Sequence, residues 1–346
     1  MPAGPIGIVA FGVSPVEGMR PLRLRALLAE AALQEVDLRF FAADDCDLPS
    51  GRVSASRWVR GEWERSEIDL PRLVMLTTDP ATPRHREVDA WIRGRARVLG
   101  FRERNKLDVS ALVSTSPWAA HVVPGERLDP ERVEEQLATW LTGGGIVVKP
   151  SDGMRGIGIR FVVRDESGWA LIHGDDRFCG SAEEAIARVV RAIRGRMGYR
   201  DYLVQRYIDS RNEIGQPIAI RVDLARLPQG GWGLVRMAGR IAAIGKMTSN
   251  GARGGAYMVI EPFLAARRVR PAAVIAEEAL ALATGVADVL IAQPGTTTYY
   301  ECGIDLAIDP EDRLWFIEAN PRPQGIGAHL ERAILVIAYL KSLAEA

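Results

Sequence analysis

Apolar positions change spacing repeatedly along the chain. Residues 6–11 form an apolar run, 22–33 carry apolar side chains at helical spacing, and 36–41 return to a run. This pattern predicts strand, helix, strand: a βαβ unit, in which a crossover returns the chain to a parallel neighbour. The short run Leu73-Val74-Met75-Leu76 and a helix over 88–98 extend it into a small parallel α/β domain ending near residue 101. After Asn105 the pattern predicts a helix over 106–113, an extended piece to Pro124, a helix over 130–141 and a strand over 145–149. Beyond a glycine-rich loop come strands at 159–163 and 169–173, a helix over 182–197 and a strand at 202–205, a compact α+β unit. Two alternating strands between 218 and 242 flank Pro228-Gln229-Gly230-Gly231, a hairpin signal. A helix follows over 271–283, and a second hairpin joins 299–308 to 314–318 through Asp309-Pro310-Glu311-Asp312. The last helix contains the apolar run 333–338, which is too short for a membrane span and reads as buried. No internal repeat interrupts this order.

Composition narrows the function classes. The chain has 346 residues, of which 47% are apolar, enough for two or three domains with packed cores. Its 44 basic and 44 acidic side chains cancel, leaving no global field to attract a phosphate backbone. The arginine-rich stretch 84–104 is interrupted by Glu87, Asp89 and Glu103, and reads as a solvated helix face rather than a nucleic-acid patch. Cys46, Cys179 and Cys302 are scattered, with no CxxC pair, which fits a reducing cytoplasm. The N-terminus lacks a positive leader, and the run 6–13 is too short to cross a bilayer. The expectation is a cytoplasmic protein with neither membrane nor nucleic acid as partner; oligomeric state is left open.

Chemistry concentrates in three places. In Val147-Val148-Lys149-Pro150-Ser151-Asp152-Gly153-Met154-Arg155-Gly156-Ile157-Gly158, a lysine ends a strand and three glycines follow. Glycines let backbone N–H groups approach phosphate oxygens, and the ammonium adds a point charge. An ordinary β-turn beside an exposed lysine has the same pattern. It is not the P-loop, in which the lysine follows the glycines. Asp305 on one strand of the second hairpin, and Glu318 and Asn320 on the other, share a face by alternation. Two carboxylates and an amide are hard oxygen donors suited to magnesium, although a half-exposed charged hairpin would also carry them. The apolar neighbours Ile304, Leu306, Phe316 and Ile317 demand that those charges be compensated. Between the two lies Tyr202-Leu203-Val204-Gln205-Arg206-Tyr207-Ile208-Asp209, an apolar strand running into polar residues.

In this order the three elements resemble the ATP-grasp superfamily from about residue 106 onward, and the preceding α/β unit looks like the domain that usually precedes it. The runs 218–224, Arg240, 246–255 and Gly303-Ile304-Asp305 look most like the YheC/YheD branch, which is associated with endospore coats and has relatives among peptide ligases.

The resemblance implies a domain order of 1–104, 105–206 and 207–346, with ATP between two α+β subdomains. Lys106 and Lys149 would contact phosphates, and Ser151, Gly153, Gly156 and Gly158 would form a mobile lid. Gln205, Arg206, Tyr207 and Ile208 would hold adenine, and Asp209 or Glu213 the ribose. Asp305, Glu318 and Asn320 would hold magnesium. The implied catalytic set is Arg221, Arg240, Arg322 and Asn250. The implied reaction converts a small-molecule or peptide carboxylate into an acyl phosphate, which an amine then attacks; no protein nucleophile is needed. In D-alanine ligase-like members an arginine stands two positions before the metal aspartate, where this chain has Gly303. A kinase on the same fold, or a non-catalytic nucleotide-binding or assembly protein, are the other classes.

Overall fold

A computed structural model describes residues 4–100, 105–153, 156–166, 168–249, 254–266, 270–293, 299–323 and 327–346. Three sheets follow one another along it. The first is built from β1 (Ile6–Ala10), α1 (Pro15–Gly18), α2 (Pro21–Leu33), β2 (Leu38–Ala42), β3 (Cys46–Asp47), β4 (Arg52–Val59), β5 (Glu62–Asp69), β6 (Leu73–Leu76), α3 (Pro83–Arg93) and β7 (Arg97–Leu99). Strands run in the order β3-β4-β2-β1-β6-β7, with β5 paired to β4. The β2-β1-β6-β7 strands are parallel, as expected, but β4 and β5 form an antiparallel hairpin that the sequence pattern does not reveal. Most of β5 faces solvent, and its charged sequence EWERSEID has no apolar alternation to betray it. The helix expected over 88–98 starts earlier, because Thr82 caps it by accepting from the His85 N–H and Pro83 is tolerated in its first turn. It ends at Gly94, which frees 97–99 to pair with β6.

The second sheet comprises, after α4 (Lys106–Ser114), β8 (Gly125–Arg127), α5 (Val133–Thr142), β9 (Ile146–Pro150), β10 (Arg160–Asp165), β11 (Gly168–His173), β12 (Asp176–Gly180), α6 (Ala182–Met197) and β13 (Tyr202–Arg206). It is antiparallel, in the order β12-β11-β10-β9-β13-β8. Helix α6 spans the expected residues because Ser181 and Glu184 form a capping box, and Ala185, Ile186, Val189, Val190 and Ile193 make one apolar face. That face and Leu137 of α5 pack on Ile146, Val148 and Val204.

The third sheet comprises β14 (Ile218–Arg226), β15 (Trp232–Ile241), β16 (Ala256–Val259), β17 (Glu301–Ile308) and β18 (Leu314–Asn320), with α7 (Ile260–Ala265), α8 (Ala272–Ile291) and α9 (His329–Glu345). The order is β16-β15-β14-β17-β18, all antiparallel. Ile220, Val222, Ile304 and Leu306 cover α8. Helix α4 packs on α8 and β18, so its Val109 and Val113 belong to this core, although it precedes the second sheet in the chain. Helix α9 packs on α2, and the same core extends to Ile6, Ile8 and Leu27 of the first unit.

Helix α8 continues beyond the expected 283 because its Ala, Leu and Val run meets no breaker except Gly285. That glycine is needed for close approach: a Cβ there would collide with the Trp118 indole. Gly285→Ala is expected to lower the thermal midpoint through overpacking of about 1–3 kcal/mol. An unchanged midpoint would show that Trp118 has room to move.

Candidate active site

The third sheet is apolar on one face and charged on the other. Along β17, Glu301, Gly303 and Asp305 alternate onto the charged face. Opposite them on β14 stand Ala225, Asp223 and Arg221. On the other side, Asp305 faces Glu318 and Gly303 faces Asn320. An irregularity after Asp305 pairs Leu306 with Phe316 and leaves Ile317 as the extra residue. The bulge lets Phe316 enter the core while Glu318 meets Asp305. The Asn320 amide donates to Asp305 Oδ2 at 3.2 Å and to Glu318 Oε1 at 3.3 Å, so the three expected metal residues do gather.

Cations hold both carboxylates. Arg221 Nη1 donates to Asp305 Oδ2 at 2.9 Å, Arg240 Nη1 to Asp305 Oδ1 at 2.6 Å, and Lys106 Nζ to Glu318 Oε2 at 2.6 Å. Burial pushes the Glu318 carboxyl upward, but Lys106 and Lys149 overcome it and hold the group at about 2. Lys149 is buried, and among the described residues no hydrogen-bond or ion-pair partner meets its ammonium. Burial and the neighbouring Lys106 lower it to about 8, against a smaller opposing pull from Glu318.

A cleft of about 180 Å³ lies over these groups. Lys106, Lys149, Asp305, Glu318 and Arg240 line its charged end, and Val147, Ile159, Phe161, Tyr207 and Ile208 an apolar end. Gly156 and Gln205 also line it. Gly156 and Gly158, at φ +71° and +79°, form the turn between β9 and β10. Buried Ser151 ties that turn to α4: its carbonyl accepts from the Lys106 N–H and its hydroxyl from Asn105.

Other expected residues have different positions. Arg221 is buried beneath the cleft, holding Asp305 and Asp223, and does not line the cavity. Arg206 lines the cleft beside Gln205 and Tyr207, but its side chain donates to the carbonyls of Trp140 and Gly144 and lies over the Trp140 ring, which ties the end of α5 to β13. Asp209 accepts three hydrogen bonds from Arg211, two from its guanidinium and one from its backbone N–H, and Glu213 is exposed; neither lines the cleft, whereas Ser210 does. Arg322 pairs with Asp79 and donates to the Thr77 carbonyl, facing a different cavity. Asn250 lies outside the described residues.

Sequence reasoning missed the ions behind the site. Fully buried Asp223 accepts from Arg221 at 2.7 Å and Arg236 at 3.0 Å, and lies 3.4 Å from Arg332. Glu301, also fully buried, accepts from Arg332 and Arg23, each at 2.7 Å. The signal available was Arg221 and Asp223 two apart in an otherwise apolar strand, with Glu301 in register with Asp305. Gly303 has a physical reason here: a Cβ would strike the Arg221 guanidinium, which lies over that position. The Arg221 guanidinium reaches over position 303 from β14. Asp223→Ala is expected to destabilise the protein by about 3–5 kcal/mol, because three guanidiniums lose a buried partner. Urea unfolding measures this, and a loss below about 1 kcal/mol would sink the account.

The profile described as YheC/D like ATP-grasp matches residues 96–335. The chain is 23% identical over 300 residues to the endospore coat-associated protein YheD of Bacillus subtilis strain 168, covering 82% of this chain and 63% of that one. It therefore spans less than two thirds of that relative's length. Among solved structures, D-cycloserine synthetase DcsG is 14% identical at a TM-score of 0.52, with 99% of each chain covered. D-alanyl-alanine synthetase A from Vibrio cholerae is 13% identical at 0.52, covering 100% of this chain and 94% of that one. A Chryseobacterium gregarium RiPP-associated ATP-grasp ligase, solved with ADP and peptide, is 10% identical at 0.50, covering 100% and 96%. These likenesses establish a shared fold. No described helix is long and apolar enough to cross a membrane.

Proposed function

The chain belongs to the YheC/D-like ATP-grasp family, and from that premise we propose that it is an ATP-dependent ligase joining a small-molecule or peptide carboxylate to an amine. One observation carries the reading: Lys149, buried at the cleft with no acidic partner of its own among the described residues, beside the facing carboxylates Glu318 and Asp305. A buried ammonium without a counter-charge is costly, and an anionic ligand such as a phosphate offsets that cost.

The oxygen donors fit magnesium. The donor set is the Asp305 and Glu318 carboxylates with the Asn320 amide oxygen, which gather on one face. Each carboxylate has about four acceptor positions. Asp305 uses three, for Arg221, Arg240 and Asn320, and Glu318 uses two, for Lys106 and Asn320. Acceptor capacity therefore remains on both without breaking an ion pair. When bound, ATP with magnesium supplies the phosphoryl group that activates the carboxylate.

The remaining roles are the protein's own. Lys149 and Lys106 neutralise phosphate oxygens, and Tyr207 and Ile208 flank the base. Arg240, the guanidinium that faces the cleft, holds the substrate carboxylate, while Arg221 keeps Asp305 oriented from below. We take 1–104 as the substrate-side unit, 105–206 as the unit carrying the glycine lid, and 207–346 as the unit carrying the metal residues, with α4 packed on the last.

Asp305→Ala and Glu318→Ala are each expected to reduce ADP release by at least about a hundredfold while the fold persists. Hydroxylamine supplied in place of the amine should yield a hydroxamate with wild-type protein, because an acyl phosphate is captured by small nucleophiles. A stable phosphorylated product without hydroxamate would make the protein a kinase. Nucleotide affinity should also depend on pH. The free Lys149 ammonium loses its proton near about 8, so above that pH binding must take up a proton. Affinity then falls by up to about tenfold per pH unit. Lys149→Ala should flatten that slope; an equal slope in the variant would assign the titration to another group.

A further inference from the structure

A cavity of about 470 Å³ lies away from the nucleotide cleft. It opens at the C-terminal ends of β1 and β6, where the chain order reverses: β2 lies on one side of β1 and β6 on the other. Open α/β sheets bind ligands at such a switch point. Phe11, Leu27, Met75, Tyr300 and Val336 make its apolar wall. Four arginines, 20, 23, 322 and 332, line it against two acids, Asp79 and Glu301, a local excess of 4 − 2 = +2. Arg23 and Arg332 share Glu301, and Arg322 pairs with Asp79. Arg20, exposed on the rim, has no acidic partner among the described residues. Arg332 Nη2, on a side chain only 4% exposed, makes no hydrogen bond but lies 3.4 Å from Asp223, and His329 Nδ1 is buried with no hydrogen-bond partner among the described residues. Burial, and repulsion from Arg332, Arg23 and Arg20, hold His329 below its usual value, as expected in a positive field.

We infer that this cavity anchors the free carboxylate of an apolar, peptide-length substrate. Its charged floor, Glu301 with its arginines, lies four residues along β17 from Asp305, roughly 13 Å at about 3.3 Å per residue. A carboxylate anchored there is therefore not the one activated beside Lys149. The molecule must bridge the gap, which takes about four residues of extended chain, and this selects a short peptide or a molecule of that length over a single amino acid. The inference deepens the ligase reading and rests on it for the meaning of the gap, but binding is measurable without turnover.

The test is calorimetric titration of the full chain, without nucleotide, using acetyl-Leu-Phe, its C-terminal amide, and inorganic phosphate. The acid is expected to bind about tenfold or more tightly than the amide, the difference of one charge-assisted contact. Phosphate should fail to displace it. Arg20→Glu and Val13→Asp, at exposed rim positions that leave the core intact, should weaken the acid and spare the amide. Equal binding of acid and amide, no binding of either, displacement by phosphate, or full acid affinity in both variants would each overturn the inference. If the acid binds but no hydroxamate forms with any carboxylate, the ligase reading fails alone. If hydroxamates form while the acid does not bind, the anchor fails alone.

Discussion

Two fully buried carboxylates, Asp223 and Glu301, and the nearly buried Asp305 decide how the third sheet must be built. An isolated ion there costs several kcal/mol, and only close counter-charges repay it. The protein answers with an alternating series: Arg240, Asp305, Arg221, Asp223, Arg332, Glu301 and Arg23. Each anion touches at least two cations. The series runs through β15, β17 and β14 to α9 and then α2, so the first unit is tied to the third by charge as well as by the shared apolar core. Removing one member leaves its neighbours stranded, which is why the arrangement behaves as a unit.

This constraint explains local choices that look arbitrary in isolation. Gly303 is small because Arg221 must cross over β17, and the bulge at Ile317 exists because Phe316 and Glu318 must face opposite sides. Together they orient the Asp305 and Glu318 oxygens before any ligand arrives. Preorganised charge costs no rearrangement when a cation or phosphate is taken up. The turn between β9 and β10 is held differently, by Ser151 and backbone contacts, and its glycines contribute close approach rather than charge.

Much of this was legible in the chain. The apolar pattern placed α6 over the residues it spans, and the alternation of Asp305 with Glu318 and Asn320 put three oxygen donors on one face. Lys149 was legible as a lysine ending an apolar strand just ahead of three glycines. What stayed hidden was pairing over long separations: Arg23 meets Glu301 across 278 residues, and no local pattern encodes that contact. Arg221 shows the same limit. Its strand and face were readable, but whether it points into the cleft or supports Asp305 from below depends on Asp223 and on the space over Gly303. The β4–β5 hairpin escaped because a solvent-facing strand has no apolar period to detect.

The charges around the cleft do not balance, and the imbalance has a direction. Lys106, Arg221 and Arg240 are committed to Glu318 and Asp305, while Lys149 shares in the Glu318 field with no hydrogen bond or ion pair of its own among the described residues. A structural hairpin would gain stability by exchanging Lys149 for an apolar residue, since burying an unpaired ammonium opposes folding. That it occupies a strand end beside a glycine turn, facing spare carboxylate acceptors across about 180 Å³ of space, favours a ligand carrying both signs: anionic toward Lys149 and accompanied by a cation toward Asp305 and Glu318. A nucleotide with its magnesium has that distribution of charge, and a bare anion or a bare cation would satisfy only one side of it.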